Sequence, residues 1–291
     1  MCAEAAIVNT PMSRPRFPPE ILDHIVENLH NDPGALTQCC LVSKSWVPRT
    51  RRHLFAHIEF WSNRLKMWEK TFPDPTNSPA YYTRTLAIDL DGEDAEDCNW
   101  IRGFSRVEEL SLTATHTVST SFTPFYHLSP SLKSLLVCFD FVHPQFFNFI
   151  HSLPFLQDLT LDGSEIADLD DEFDGPQDTV LPLTSPPFTG SLSVFMEEEI
   201  ASTARRLLDL PNGLRFREIR LTTYEEEDVY SIVELITACS ETLECLYITF
   251  VLSSKPDSPY SLQSLELPST VGSTSSPLID LSEATKLKEV S

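Results

Sequence analysis

The 291-residue chain is long enough for a sizeable core and two domains, and it carries a net charge of −22. No apolar run reaches the about 18 residues of a membrane span, and residues 1–13 lack the basic start and long apolar stretch of a secretory signal. The charge is uneven: residues 14–66 hold eight basic against five acidic side chains, and residues 67–291 hold 13 against 37. Such a body repels phosphate backbones and anionic membranes, so neither nucleic acid nor membrane is an expected partner. A basic or mixed protein partner fits the charge, as does plain solubility. The seven cysteines, Cys2, Cys39, Cys40, Cys98, Cys138, Cys239 and Cys245, are odd in number and form no CxxC. They read as thiols of a reducing compartment, cytoplasmic, nuclear or both.

Residues 1–13 read as a disordered N-terminus and residues 14–60 as a helical module. From Pro18 to Leu29, Ile21, Leu22, Ile25, Val26 and Leu29 share one broad face at helical spacing, opposite Glu20, Asp23, His24, Glu27 and Asn28. Pro18 and Pro19 suit the helix start, where a missing N–H costs little. Asp32-Pro33 is a second start signal, an N-cap acceptor followed by proline, ahead of Leu36, Cys39, Cys40, Leu41 and Val42. A third helix is expected from near Ser45, with Pro48 in its first turn and Trp46 as the large anchor. Leu54, Phe55, Ile58 and Phe60 read as an extended run leaving the module. So short a segment is marginal for a self-sufficient core, and its apolar surface must continue into the next domain or a partner.

Phe17-Pro18-Pro19-Glu20-Ile21, then Ile25, Leu29, Leu36, Cys40, Val42-Ser43-Lys44-Ser45-Trp46 and Leu54-Phe55 resemble the F-box. That motif docks substrate receptors on the Skp-type adaptor of cullin-RING ubiquitin ligases. Phe17 stands where Leu is commoner, and Ser43 where Cys is common. The resemblance implies adaptor contact by Pro18, Pro19, Ile21, Leu22, Leu36, Cys40 and Val42; Leu29 and Trp46 are candidates for adaptor or core alike.

Downstream, Trp61–Phe72 reads as a helix with Leu65, Met67 and Trp68 apolar, and residues 73–82 as a turn-rich connector. An apolar-x-x-apolar-x-apolar pattern then recurs, starting at Thr83, Val107, Leu132, Leu156, Phe216, Leu243, Leu262 and Leu287, with a weaker copy through Leu192 and Val194. Its central positions, Leu86, Leu110, Leu135, Leu159, Leu192, Ile219, Leu246, Leu265 and Val290, are spaced by 24, 25, 24, 33, 27, 27, 19 and 25 residues. Leucine-rich repeats use this strand pattern at roughly 20–29 residues. The asparagine or cysteine that closes such units is mostly absent, so the repeats are irregular. Phe146, Phe147, Phe149, Ile150 and Leu153 share one helical face, and Val229, Ile232, Val233, Leu235, Ile236 and Cys239 another. Strands alternating with helices at this period imply a parallel sheet with helices on its outer side. The expected fold is therefore α/β: an all-helical N-terminal module and, over residues 61–291, an irregular leucine-rich-repeat-like solenoid. This second part resembles the degenerate repeats of the large fungal F-box group.

Two stretches break the period. Residues 162–190 hold eight acidic side chains and no basic one, then a Pro-rich run, and read as an inserted loop. Residues 253–277, rich in Ser and Pro, read likewise, and the Leu265 copy falls within them. The chain enters the pattern at Leu287 and Val290 and stops, so it is expected to be truncated or to end on a partner, since a repeat stack needs a polar cap.

Catalytic and metal motifs do not surface. Asp170, Glu172, Asp174 and Gly175 match the first half of a calcium loop, but Leu181 stands where a bidentate Glu is needed and Pro176 at the seventh position. The stretch reads as a solvated acidic loop. His24 and His30 are six apart and Cys39-Cys40 adjacent, neither a zinc spacing. With no HExxH, GxSxG or phosphate-cradling glycine loop, no cofactor and no catalysis are expected. The resemblance implies a non-catalytic substrate receptor that holds an unknown protein target; the alternative is an adaptor-binding protein that delivers no substrate.

Overall fold

The computed structural model describes residues 18–61, 64–74, 77–90, 99–114, 122–142, 145–166, 188–196, 200–210, 213–223, 229–250 and 288–290. They fall into two units, Met1–Ala56 and His57–Ser291. In the first, α1 (Pro19–Asn28), α2 (Pro33–Val42) and α3 (Val47–Leu54) follow in quick succession. Proline lies in the first turn of all three, where its missing N–H is no loss. Asp32 caps α2, its carboxylate accepting from the Ala35 N–H at 2.9 Å. Leu22 and Val26 of α1 and Leu36 and Cys39 of α2 are buried, and both helices contact α3. Thr50 of α3 is fully buried yet satisfied: its hydroxyl bonds the Trp46 carbonyl at 3.0 Å and the Cys40 thiol at 2.7 Å.

The second unit mixes helix and strand around a parallel sheet, which is the α/β class. Nine strands lie side by side in chain order, every neighbouring pair parallel. They are β1 (His57–Phe60), β2 (Thr85–Asp89), β3 (Glu109–Ala114), β4 (Ser134–Val142), β5 (Asp158–Ile166), β6 (Ser191–Met196), β7 (Glu218–Thr223), β8 (Cys245–Phe250) and β9 (Glu289–Val290). Parallel neighbours need a crossover between them. The described crossovers hold α4 (Arg64–Thr71), α5 (Gln145–His151), α6 (Ile200–Leu208), α7 (Val229–Ala238) and 3-10 turns at Pro79–Tyr82, Asn99–Gly103 and Thr123–Leu128.

The register aligns one apolar row across the whole sheet: Ile58, Leu86, Leu110, Leu135, Leu159, Leu192, Ile219, Leu246 and Val290. A second row, two residues on, runs Phe60, Ile88, Leu112, Val137, Leu161, Val194, Leu221 and Ile248. Side chains alternate along a strand, so both rows face one side, and the crossovers pack there. Phe60 meets Trp68 of α4, Trp100 and Phe104 edge-on at 5.0–6.0 Å between centroids. Phe139 of β4 meets Phe122 and Phe146, and Phe122 stacks on Phe149 at 5.6 Å. Several rungs start alike: the Arg84 carbonyl accepts from the N–H groups of Glu108 and Glu109, the Glu108 carbonyl from Lys133 and Ser134, and the Arg217 carbonyl from Glu244 and Cys245. At Gly190 a Cβ would stand 1.5 Å from the Gln157 carbonyl oxygen, so only glycine lets β6 close on β5.

Several expectations are corrected. Ile58 and Phe60 are not the tail of the helical module; they form β1, and the boundary falls after Ala56 rather than after Phe60. Leu54 closes α3 and Phe55 caps it, so neither is extended. Residues 162–166 belong to β5, not to an inserted loop, because Asp162, Gly163, Glu165 and Ile166 pair with β4. Val290, not Leu265, occupies the rung beside Leu246; Leu265, like the remainder of 167–187, the calcium-like loop and residues 253–277, lies outside the described residues.

Two substitutions test the core. Leu159 and Leu246, both 1 % exposed, should each cost roughly 2–5 kcal/mol when changed to Ala, read by denaturant unfolding. Thr83 starts the rung where Val107, Leu132, Leu156, Phe216 and Leu243 start others; it is fully buried and its hydroxyl has no partner. Thr83→Val should therefore stabilise the fold by about 1 kcal/mol, read as a raised denaturation midpoint.

Candidate functional surfaces

The first surface is apolar and lies on the helical unit. In α1, Leu22 and Val26 sit one turn apart and turn inward, while Ile21, 48 % exposed, and Ile25, 36 % exposed, sit one turn apart and face water. At the end of α2, Leu41 and Val42 are 77 % and 70 % exposed. Of the nine residues implied by the motif, Pro18, Pro19, Ile21 and Val42 are exposed, Leu29, Cys40 and Trp46 half-buried, and Leu22 and Leu36 buried. Leu22 and Leu36 thus offer a partner almost no surface. Ile25 and Leu41, exposed and apolar, were not among the nine, although Ile25 follows Ile21 by one turn.

The same unit is basic at one helix. Arg51, Arg52 and His53 occupy the last turn of α3, where cations suit the helix dipole. Arg49 pairs with Asp23 of α1, which ties these two helices at their surface.

The second surface is the face of the sheet opposite the core. Its residues are the unassigned x positions of the repeating pattern, and the register collects them into rows. The row one residue before the central leucines reads Thr85, Glu109, Ser134, Asp158, Ser191, Glu218 and Cys245 from β2 to β8. Hydroxyl or thiol alternates with carboxylate at every rung. Adjacent parallel strands lie about 4.8 Å apart, so identical charges on adjacent rungs would repel. Here each carboxylate has uncharged neighbours. The Thr85 hydroxyl donates to Glu109 at 3.0 Å and the Ser191 hydroxyl to Asp158 at 2.5 Å. The next row along the face reads Ala87, Ser111, Leu136, Thr160, Ser193, Arg220 and Tyr247. Arg220 pairs with Glu218 at 2.5 Å and lies over the Tyr247 ring at 5.2 Å, and Phe195 is 42 % exposed at the far rim.

One position nearer the N-terminus of each strand, the charges behave differently. Glu108 sits between Arg84 and Lys133, paired with both, and Lys288 pairs with Glu244. The Lys133 hydrogen bond, aided by the charges of Lys133 and Arg84, holds the Glu108 carboxyl below its ordinary value against an opposing desolvation that outweighs either charge taken singly.

Among the described residues no group of three His, Cys, Asp or Glu side chains is arranged to hold a metal ion. The described cysteines are all free thiols. Burial pushes the Cys239 thiol up to about 11, and burial followed by the Asp162 charge raises that of Cys138. No described helix is long and apolar enough to cross a membrane.

A carboxyl lowered by folding contributes stability above its unfolded value and loses it as pH falls through the folded one. Glu108→Gln should lower the melting temperature at neutral pH, and the deficit should vanish below about pH 4. A deficit that is unchanged in acid would mean that Glu108 acts by packing.

No protein-family model matches this chain, and no curated protein matches it in a similarity search.

Proposed function

We propose that the chain is a non-catalytic substrate receptor of a cullin-RING ubiquitin ligase. On this reading residues 14–56 are an F-box module that docks on a Skp-type adaptor, and the second unit is an irregular leucine-rich-repeat solenoid that holds a protein target. The observation that carries the reading is the pairing, within a three-helix unit, of a buried Leu22/Val26 stripe with an exposed Ile21/Ile25 stripe and exposed Leu41 and Val42. A module this small gains little by leaving four large apolar side chains in water, and three of them, Ile21, Ile25 and Val42, belong to the F-box-like spacing. The parallel register at 24- to 33-residue intervals from Leu86 to Leu246 supports the repeat reading. Holding adaptor and target on one chain raises the target's effective concentration at the ligase without catalytic groups of its own. The compartment that goes with this role is cytoplasm, nucleus or both.

The test uses exposed residues, so that folding is spared. Ile21→Asp with Val42→Asp places two charges in the apolar contact, each unpaired on docking. Co-precipitation with a Skp-type adaptor should fall by at least about tenfold, with the melting temperature unchanged. Full binding by the folded double variant would overturn the reading. Adaptor binding without any change in target turnover on deletion of the module would leave an adaptor-binding protein that delivers no substrate.

A further inference from the structure

We propose that the open face of the sheet takes a basic, extended segment of a partner protein, read by Glu109 and Asp158. The proposal rests on the reading of the second unit as the target-holding part and names the chemistry of the target. The two carboxylates stand on β3 and β5, with Ser134 of β4 between them. Both are exposed, and among the described residues their side-chain partners are hydroxyls, Thr85 and Ser191, rather than cations. The contrast lies one residue away on the same strands, where Glu108 is neutralised by Arg84 and Lys133. The fold compensates charge at Glu108, and at Glu218 by Arg220, and leaves Glu109 and Asp158 with hydroxyl partners. The hydroxyls fix the carboxylates in place, so a cation arriving there meets oxygens already oriented.

Spacing narrows the occupant. Two rungs span about 9.6 Å. A polyproline II segment repeats every three residues at about 9.3 Å, so cations at every third residue fall on Glu109 and Asp158 together. Such a segment lies across the strands over Ser111, Leu136 and Thr160, with Leu136 offering its middle an apolar contact. A block of adjacent lysines has the same charge but the wrong period. Glu218 is not part of the site, because Arg220 of its own strand pairs with it.

The test uses the full-length protein and a fluorescently labelled peptide of Lys-Pro-Pro repeats, with anisotropy as the readout. The wild type should bind it, and more weakly as salt rises. Glu109→Gln with Asp158→Asn should weaken binding about tenfold, while Glu241→Gln, at an exposed position outside this face, should leave it unchanged. A peptide of the same composition with its lysines in one block should bind less tightly than the repeat, and Glu-Pro-Pro repeats should not bind. No binding by the wild type, equal binding by the double variant, or equal loss from Glu241→Gln would each overturn the proposal. The assay contains no adaptor, so its failure leaves adaptor docking standing, and loss of adaptor docking leaves its result standing.

Discussion

The second unit depends on the parallel register. Several strands are preceded by a carbonyl that accepts two successive N–H groups at the start of the next rung, as Arg84 does for Glu108 and Glu109. This fixes which residue stands beside which. Because side chains alternate along a strand, a slip by one residue would carry Leu110 or Leu135 from the core to the open face and bring Glu109 or Ser134 into the interior. The cost of a buried carboxylate enforces the register as strongly as the gain from a buried leucine. Core and outer face are therefore consequences of one alignment.

The two faces carry different kinds of information. The inner central row contains only Leu or Ile from β1 to β8, as close packing between repeated rungs requires. Nothing in packing dictates the outer row, whose residues touch water. Its alternation of hydroxyl and carboxylate relieves repulsion between rungs, but uniform threonine would relieve it better and suit a strand well. The carboxylates are thus a choice that stability alone does not explain. The row beside it shows what a stabilising arrangement of charge looks like on the same strands, with Glu108 set between two cations.

Much of the sheet was legible because the pattern had two periods at once, apolar alternation within a strand and a repeat of 24 or 25 residues between Leu86 and Leu159. The register follows those central residues rung by rung. Ile58 and Phe60 also read as extended, but their allegiance depended on pairing with Leu86 and Ile88, a contact that local pattern cannot reveal. Helix α6 was overlooked although Ile200, Ala204 and Leu207, all buried, have helical spacing; its single large apolar residue per turn is diluted by Ala, Ser, Thr and Arg. Residues 162–166 were misread because composition registers the charge of Asp162 and Glu165 but not their pairing with Cys138 and Phe141. A strand with one face in water accommodates an acid on that face, as it does the exposed Asp162.

The helical unit shows the same limit at smaller scale. Its five apolar positions in α1 formed one broad stripe in sequence, wider than a single helix contact covers. The fold divides the stripe: Leu22 and Val26 take the inward half, and Ile21 and Ile25 remain outside. The division follows from where α3 lies, pinned to α1 by the Arg49–Asp23 pair, and not from hydrophobicity, since isoleucine is at least as apolar as valine. An exposed stripe of β-branched residues beside a filled interior is not a shortage of core but a surplus over what three short helices can enclose. On the proposed reading the surplus is the docking surface, and burial against the adaptor would supply the apolar contact that so small a unit cannot supply to itself.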